Sequence, residues 1–166
     1  MGGKMDKHSD IQVLSHPAAE WARSNAVMFF ASGAASMEEI SEQLSRGARI
    51  LGGTAVEARR HGDWFVVAAQ VDWFANGRHQ VSDDLLFKRP EAFPELGQNC
   101  TRPEFVVAAF AEEVIVAGPD GAYSLNGLVP PDECSRVLTA ATPGFRRAVA
   151  FKGLRASVAS AAPSSQ

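Results

Sequence analysis

The stretch TAVEARRHGDWFVVAAQVDWF, residues 54–74, sets two runs rich in β-branched and aromatic residues around the break His61-Gly62-Asp63. A glycine-containing break between two such runs predicts a β-hairpin, with strands over Thr54 to Arg60 and Trp64 to Phe74. Side chains alternate along a strand, so Phe65, Val67, Ala69, Val71 and Trp73 should share one face, and Trp64, Val66, Ala68, Gln70, Asp72 and Phe74 the other. Both faces begin apolar. The second strand should therefore lie inside a sheet that helices cover on at least one side.

Two helices are expected before this hairpin. Pro17 suits a first helical turn, where its missing N–H has no partner to lose. Trp21, Asn25 and Met28, with Phe29 beside them, then fall on one side up to a stop at Gly33. The run Ala26 to Ala31 reads equally as a buried strand. Ser36-Met37-Glu38-Glu39 has the capping-box pattern, in which the serine oxygen takes the third helical N–H and a glutamate returns to the serine N–H. Met37, Ile40, Leu44, Ala48 and Leu51 follow at steps of three and four, ended by Gly52-Gly53. Gly47 should weaken the middle of this helix by roughly 1 kcal/mol relative to alanine.

Beyond Ala75-Asn76-Gly77-Arg78 the order is a loop, a helix, a hairpin, a helix and a strand. Residues 78–100 are the least regular, because Pro90 and Pro94 interrupt any helix begun at Ser82-Asp83-Asp84-Leu85. A long ordered loop is expected, and such loops carry binding sites more often than other segments do. Thr101-Arg102-Pro103-Glu104 reads as a second capping box, opening a helix that is apolar all round from Phe105 to Ala111. Val114 to Ala117 and Ala122 to Leu125 flank the turn Pro119-Asp120-Gly121. Pro130-Pro131-Asp132-Glu133 opens a helix to about Ala141, with acids suited to its positive end, and Pro143-Gly144 closes it. Phe145 to Lys152 alternates as a half-exposed strand should.

The expectation is an α+β fold: a mostly antiparallel sheet built from hairpins, with helices packed on one side. A single domain over 17–155 should follow a flexible segment, 1–16, and precede a disordered tail, 156–166, since both ends hold too little apolar material to pack. The 166 residues suffice for a sizeable core without a disulfide. The longest apolar run, Phe105 to Ala111, is far short of the roughly 20 residues that span a bilayer, so no membrane partner is expected. With no visible secretory signal, the cytoplasm is the expected compartment. Met1-Gly2-Gly3 begins like an acylation signal, but Asp6 stands where that signal needs Ser or Thr. Cys100 and Cys134 form no CxxC pair and should be free thiols. A net charge of −3 disfavours nucleic acid as the main partner, although Arg59-Arg60-His61 and Arg146, Arg147, Lys152 and Arg155 form local basic clusters.

Chemistry-bearing residues gather in 72–104. Gly97-Gln98-Asn99-Cys100-Thr101-Arg102 places a thiol, two amides and a guanidinium before a helix start. Free N–H groups there can bind an anion or lower a thiol's pKa. Asn99, Cys100 and Arg102 are thus candidate ligand contacts, although capping by Thr101 and Glu104 with Cys100 as filler explains the same residues. Asp72, near the end of an apolar strand, needs a partner or water, and Arg102 or His79 could serve. His79, Asp83 and Asp84 have metal-ligand chemistry but match no metal loop, so neither metal nor cofactor is expected. There is no phosphate loop and no Gly-x-Ser-x-Gly elbow. No complete set of nucleophile, base and orienting group is visible, so no catalytic residue is assigned. The reading is a small binding or regulatory domain acting through a protein partner or a small anionic ligand. The alternative is a small enzyme with a pocket formed by Asp72, His79, Cys100 and Arg102. A homodimer through an uncovered sheet face is compatible with the sequence, but no feature demands one.

Overall fold

The computed structural model describes residues 17–52, 55–76, 82–141 and 144–155. His79 and the terminal segments 1–16 and 156–166 lie outside the described residues, as does the proposed helix stop at Pro143. Among the described residues five α-helices and five strands make an α+β fold in the order α1 (17–24), α2 (Met37–Gly52), β1 (Val56–His61), β2 (Trp64–Ala69), α3 (Asp83–Lys88), α4 (Pro103–Phe110), β3 (Ala111–Gly118), β4 (Gly121–Asn126), α5 (Pro131–Ala141) and β5 (Arg147–Leu154). Every strand pairing is antiparallel, and the spatial order is β1-β2-β5-β3-β4. Among the described residues no helix is long and apolar enough to cross a membrane.

The expected hairpin is present. His61 pairs with Trp64 across Gly62-Asp63, and Gly62 takes φ +61°, a conformation that L side chains adopt reluctantly. The predicted alternation holds along β2. Phe65, Val67 and Ala69 enter one apolar cluster, whereas Trp64, Val66 and Ala68 enter another on the opposite face. The strand ends earlier than expected, however. After Ala69 the chain leaves the sheet, and Trp73–Ala75 form a 3-10 turn capped by the Asp72 carboxylate, which accepts the Phe74 N–H. Trp73 and Phe74 are both buried in the first cluster, so their aromatic character reflects burial in a turn.

Helices cover both faces. The first cluster packs Ala22 of α1, Ile40 and Leu44 of α2 and Phe105 and Phe110 of α4 against the sheet; the second packs Val137 and Leu138 of α5. The one-sided layer expected from sequence is thus joined by α5 on the other side, so the central strands are covered on both faces while the outer strands β1 and β4 stay largely exposed. β5 is the middle strand and is buried on both faces from Arg147 to Phe151, where a half-exposed strand was expected. Small residues at Ala148 and Ala150 serve the α5 face, and Val149 and Phe151 the other. Phe151 stacks on its cross-strand neighbour Phe65 at a centroid distance of 5.8 Å.

Three local expectations change. α1 ends at residue 24, because the Asn25 side chain donates to the Trp21 carbonyl at 2.8 Å and occupies an acceptor of the helix end. Ala26–Met28 then form a 3-10 turn, neither helix nor strand, and Trp21 and Met28 are exposed while Ala22 faces inward. At α2 only half of the capping box forms. Ser36 Oγ accepts the Glu39 N–H at 3.2 Å, but the Glu39 carboxylate turns to the N–H groups of Ala31 and Ser32 and to the Ser32 hydroxyl. At α4 the N-cap position belongs to Arg102, with no side-chain capping bond, and Thr101 instead bridges to Ala92.

Gly47 permits a close approach. A Cβ placed there would lie 3.0 Å from Pro103 Cγ and 3.3 Å from Phe93, so α2 sits against the start of α4 because this position is bare. Gly47→Leu should lower stability by about 1–3 kcal/mol through overpacking, despite the better helix propensity of leucine. Urea denaturation of the variant and the parent measures this, and an unchanged midpoint would show that the two helices can separate freely.

Candidate binding groove

The outer side of α2 forms one bank of an open groove of about 990 Å³. The 28–31 segment and the 93–101 loop form the rest of its walls. Its buried floor comes from Phe93, Pro103, Val106 and Ser45. The rim is apolar in part: Met28 is 66% exposed, and Leu96 and Ile50 are exposed as well. Single exposed apolar residues are ordinary, but three around one concavity make a patch of the kind that partners cover.

The 93–101 wall is held by its own backbone. Leu96 and Gly97 N–H groups both reach the Phe93 carbonyl, the Phe93 N–H reaches the Cys100 carbonyl at 2.8 Å, and the Arg102 N–H reaches Glu91 at 2.8 Å. Asn99 adopts φ +61°, which asparagine tolerates better than most residues. Glu39 ties down the opposite wall through Ala31 and Ser32. The hydrogen bond from the Ser32 hydroxyl is the main reason that its carboxyl sits below the usual carboxylate range. A depressed carboxyl contributes stability above its unfolded pKa and loses it as pH falls through the folded one. The protection of the Ala31 and Ser32 amides, corrected for the intrinsic pH dependence of exchange, should therefore fall on acidification below the ordinary glutamate range, and unchanged protection would remove Glu39 as the tie.

Polar groups within the groove are few. Ser45 is buried, and among the described residues its hydroxyl is the one buried side-chain polar atom with no hydrogen-bond partner. An unmade bond of this kind costs about 1–3 kcal/mol and is commonly met by water or a ligand. Arg46 and Arg49 line the same groove and are exposed, with no ion pair formed among the described residues. Glu42 beside them forms no ion pair among the described residues either, and with Glu39 the lining charges balance, two carboxylates in the earlier turns of α2 and two guanidiniums in the later ones.

The residues singled out from sequence divide between two places. Asn99 and Cys100 line the groove, whereas Asp72 and Arg102 do not. Arg102 is buried and folds onto Glu104, donating from Nε at 3.0 Å and Nη2 at 3.1 Å. The same carboxylate accepts Trp73 Nε1 at 2.9 Å, so the guanidinium is no open anion cradle. Asp72 pairs with neither Arg102 nor a histidine in the described residues; its partner is Arg147, which donates from Nε at 2.8 Å and Nη2 at 3.0 Å. Arg147 also meets Asp83 at 3.3 Å and lies 4.0 Å over the Phe74 ring. Burial works against its charge, but the hydrogen bonds and charges of Asp72 and Asp83 outweigh that, so this guanidinium holds its proton more tightly than an ordinary arginine.

Cys100 precedes the first residue of α4 by three positions, so it does not sit at the helix N-terminus; its thiol lies 3.7 Å from the Gln98 carbonyl. Cys134 is buried on α5, where burial first and the charge of Glu133 second push its thiol up. Both are free. Iodoacetamide at pH 8 should consequently alkylate Cys100 and spare Cys134 in the folded protein, as intact-mass and peptide analysis will read. Equal labelling would contradict this burial. Among the described residues no cluster of three His, Cys, Asp or Glu could hold a metal ion.

The basic clusters are dispersed by the fold. Arg59 pairs with Glu57, Arg60 lies 4.4 Å over Phe65, and Lys152 sits between Glu113 and Glu133. Sequence reading missed Ser45, Arg46 and Arg49. Glu42, Arg46 and Ile50 do recur at steps of four along α2, with Arg49 beside them, and the apolar Ile50 among charges was the available signal. No family model, no curated protein and no solved structure matches this chain.

Proposed function

We propose that this chain is a cytosolic protein-binding domain that takes up, in the groove along α2, a partner segment combining apolar side chains with carboxylates. The observation that carries this reading is the convergence of Met28, Leu96 and Ile50 with Arg46 and Arg49, which form no ion pair among the described residues, around one cavity of about 990 Å³. Apolar anchors ringed by charge are how protein interfaces combine affinity with specificity. A protein segment suits this open groove better than a small anion does, because Arg102, the cation expected to receive an anion, is already neutralised by Glu104. The same pairing, with that of Asp72 and Arg147, draws support away from the small-enzyme alternative built on Asp72, His79, Cys100 and Arg102. Two unpaired thiols, Cys100 and Cys134, fit a reducing compartment.

The test is a photo-crosslinking amino acid at position 96, introduced into the full chain in its own cells. One dominant adduct is expected, lost in Arg46→Glu/Arg49→Glu and retained in the control Arg59→Glu/Arg60→Glu. With the purified partner, the first double variant should bind at least tenfold more weakly, with most of the salt dependence gone. Absence of any adduct, or one indifferent to Arg46 and Arg49, overturns the proposal.

A further inference from the structure

The two edges of the sheet are chemically unlike. β1 carries Glu57, Arg59, Arg60 and His61, charged or titratable groups of the type that keep foreign strands from pairing. β4, the other terminal strand among the described residues, reads Gly-Ala-Tyr-Ser-Leu-Asn and has no charge at all. Its register with β3 is regular from Gly121 to Ser124, and the irregularity lies between Val114 and Ile115. Alternate residues of that short stretch direct N–H and C=O groups away from β3, and among the described residues no other strand takes up these main-chain groups, which suits them to an added strand.

A cleft of about 410 Å³ runs beside this edge, between β4 and α5. Val129, Cys134, Leu138 and Phe145 line it, and it touches Ala122, Tyr123 and Ser124, so it follows the strand rather than opening at one residue. Ala122 and Ser124 pair with Ala117 and Ile115 of the α5-side cluster, which places their small side chains on that face. Leu125, one residue further, packs with the opposite cluster. A strand added to β4 would point every second side chain over the cleft. Pairing of β4 with β4 of a second copy would bring only Ala122 and Ser124 there, too little to fill an apolar space. Leu128, 96% exposed just past the strand, adds contact surface at its end.

We infer that β4 docks an extended segment of another protein, added as a sixth strand, with large apolar side chains at alternate positions entering the cleft between β4 and α5. This surface is independent of the α2 groove. Four regular residues allow only a few main-chain bonds, so the affinity should be about micromolar, in keeping with other standard strand-addition contacts of small area.

The probe is a fluorescein-labelled peptide, Ser-Leu-Ser-Phe-Ser-Val-Ser, measured by anisotropy against the full chain, with a scrambled peptide that groups its three apolar residues. Binding at least tenfold tighter than the scrambled control is expected, together with slowed amide exchange confined to β4 and the cleft. Ala122→Lys, which charges the edge, and Ser135→Trp, which fills the cleft from an exposed position of α5, should each abolish binding. Arg46→Glu/Arg49→Glu should leave it unchanged, so failure here and failure of the groove reading are separable. Equal binding of the scrambled peptide, protection elsewhere, or no binding at millimolar concentration overturns the inference. So does a dimer in sedimentation that Ala122→Lys dissociates, because the occupant would then be a second copy.

Discussion

Glu104→Leu will lower the free energy of unfolding by about 3–5 kcal/mol, because it leaves the buried Arg102 guanidinium with no counter-charge. Glu104 is fully buried and accepts three hydrogen bonds, two from Arg102 and one from Trp73 Nε1. These tie the first turn of α4 to the 3-10 turn at Trp73–Ala75. Arg102 is also 5.4 Å over the Phe93 ring, so the loss should spread into the groove wall. Arg102→Met alone should cost a comparable amount by stranding the carboxylate. The double variant Arg102→Met/Glu104→Leu should recover most of the loss, since two apolar side chains of similar volume need neither partner. Chemical denaturation across the four-member cycle measures this coupling. If the single and double variants lose stability additively, the pair does not act as a unit.

Asp72→Ala should lower stability by about 2–3 kcal/mol. The change removes both carboxylate bonds to the buried Arg147 and the cap on the Phe74 N–H. The figure is smaller than for Glu104 because Asp72 is 21% exposed and Asp83, 3.3 Å from Arg147, remains as a partial partner. Asp72→Asn keeps the cap and one acceptor, so it should lose about half as much. A thermal scan of both variants orders them, and an Asn variant less stable than the Ala variant would mean that the cap contributes nothing.

Much of the architecture was legible because its signals are local. The Gly62 turn, the Pro119-Asp120 turn, Ser36, and Pro131 with its acids all lie within a few residues of the elements they start or stop, and those elements form where expected. The alternation Phe65, Val67, Ala69 against Trp64, Val66, Ala68 likewise told which side chains part to opposite faces. Where Asp72 is concerned, the need for a partner was legible but the partner was not. Arg147 is 75 residues away, and the two meet because β5 inserts between β2 and β3. Nothing within Phe145–Phe151 says that it becomes the middle strand; its arginine looked like a mark of exposure. Glu104 was misread for the opposite reason: its spacing from Thr101 satisfies a capping rule, yet the indole of Trp73 and the guanidinium of Arg102 compete for the carboxylate and win.

For the candidate sites the division is sharper. Asn99 and Cys100 were singled out from the loop and do line a groove, but for a different cause than a helix N-terminus. The sequence by itself determined the hairpins, the helix starts and the alternation along β2, because periodicity and turn chemistry act over one or two turns of chain. Only the tertiary structure decided the order of strands, the second helical layer, the partners of buried charges and the concavity over α2. Those depend on which apolar faces meet across the sheet, and pairing energies between segments 31 to 75 residues apart leave no trace in the local pattern of either one.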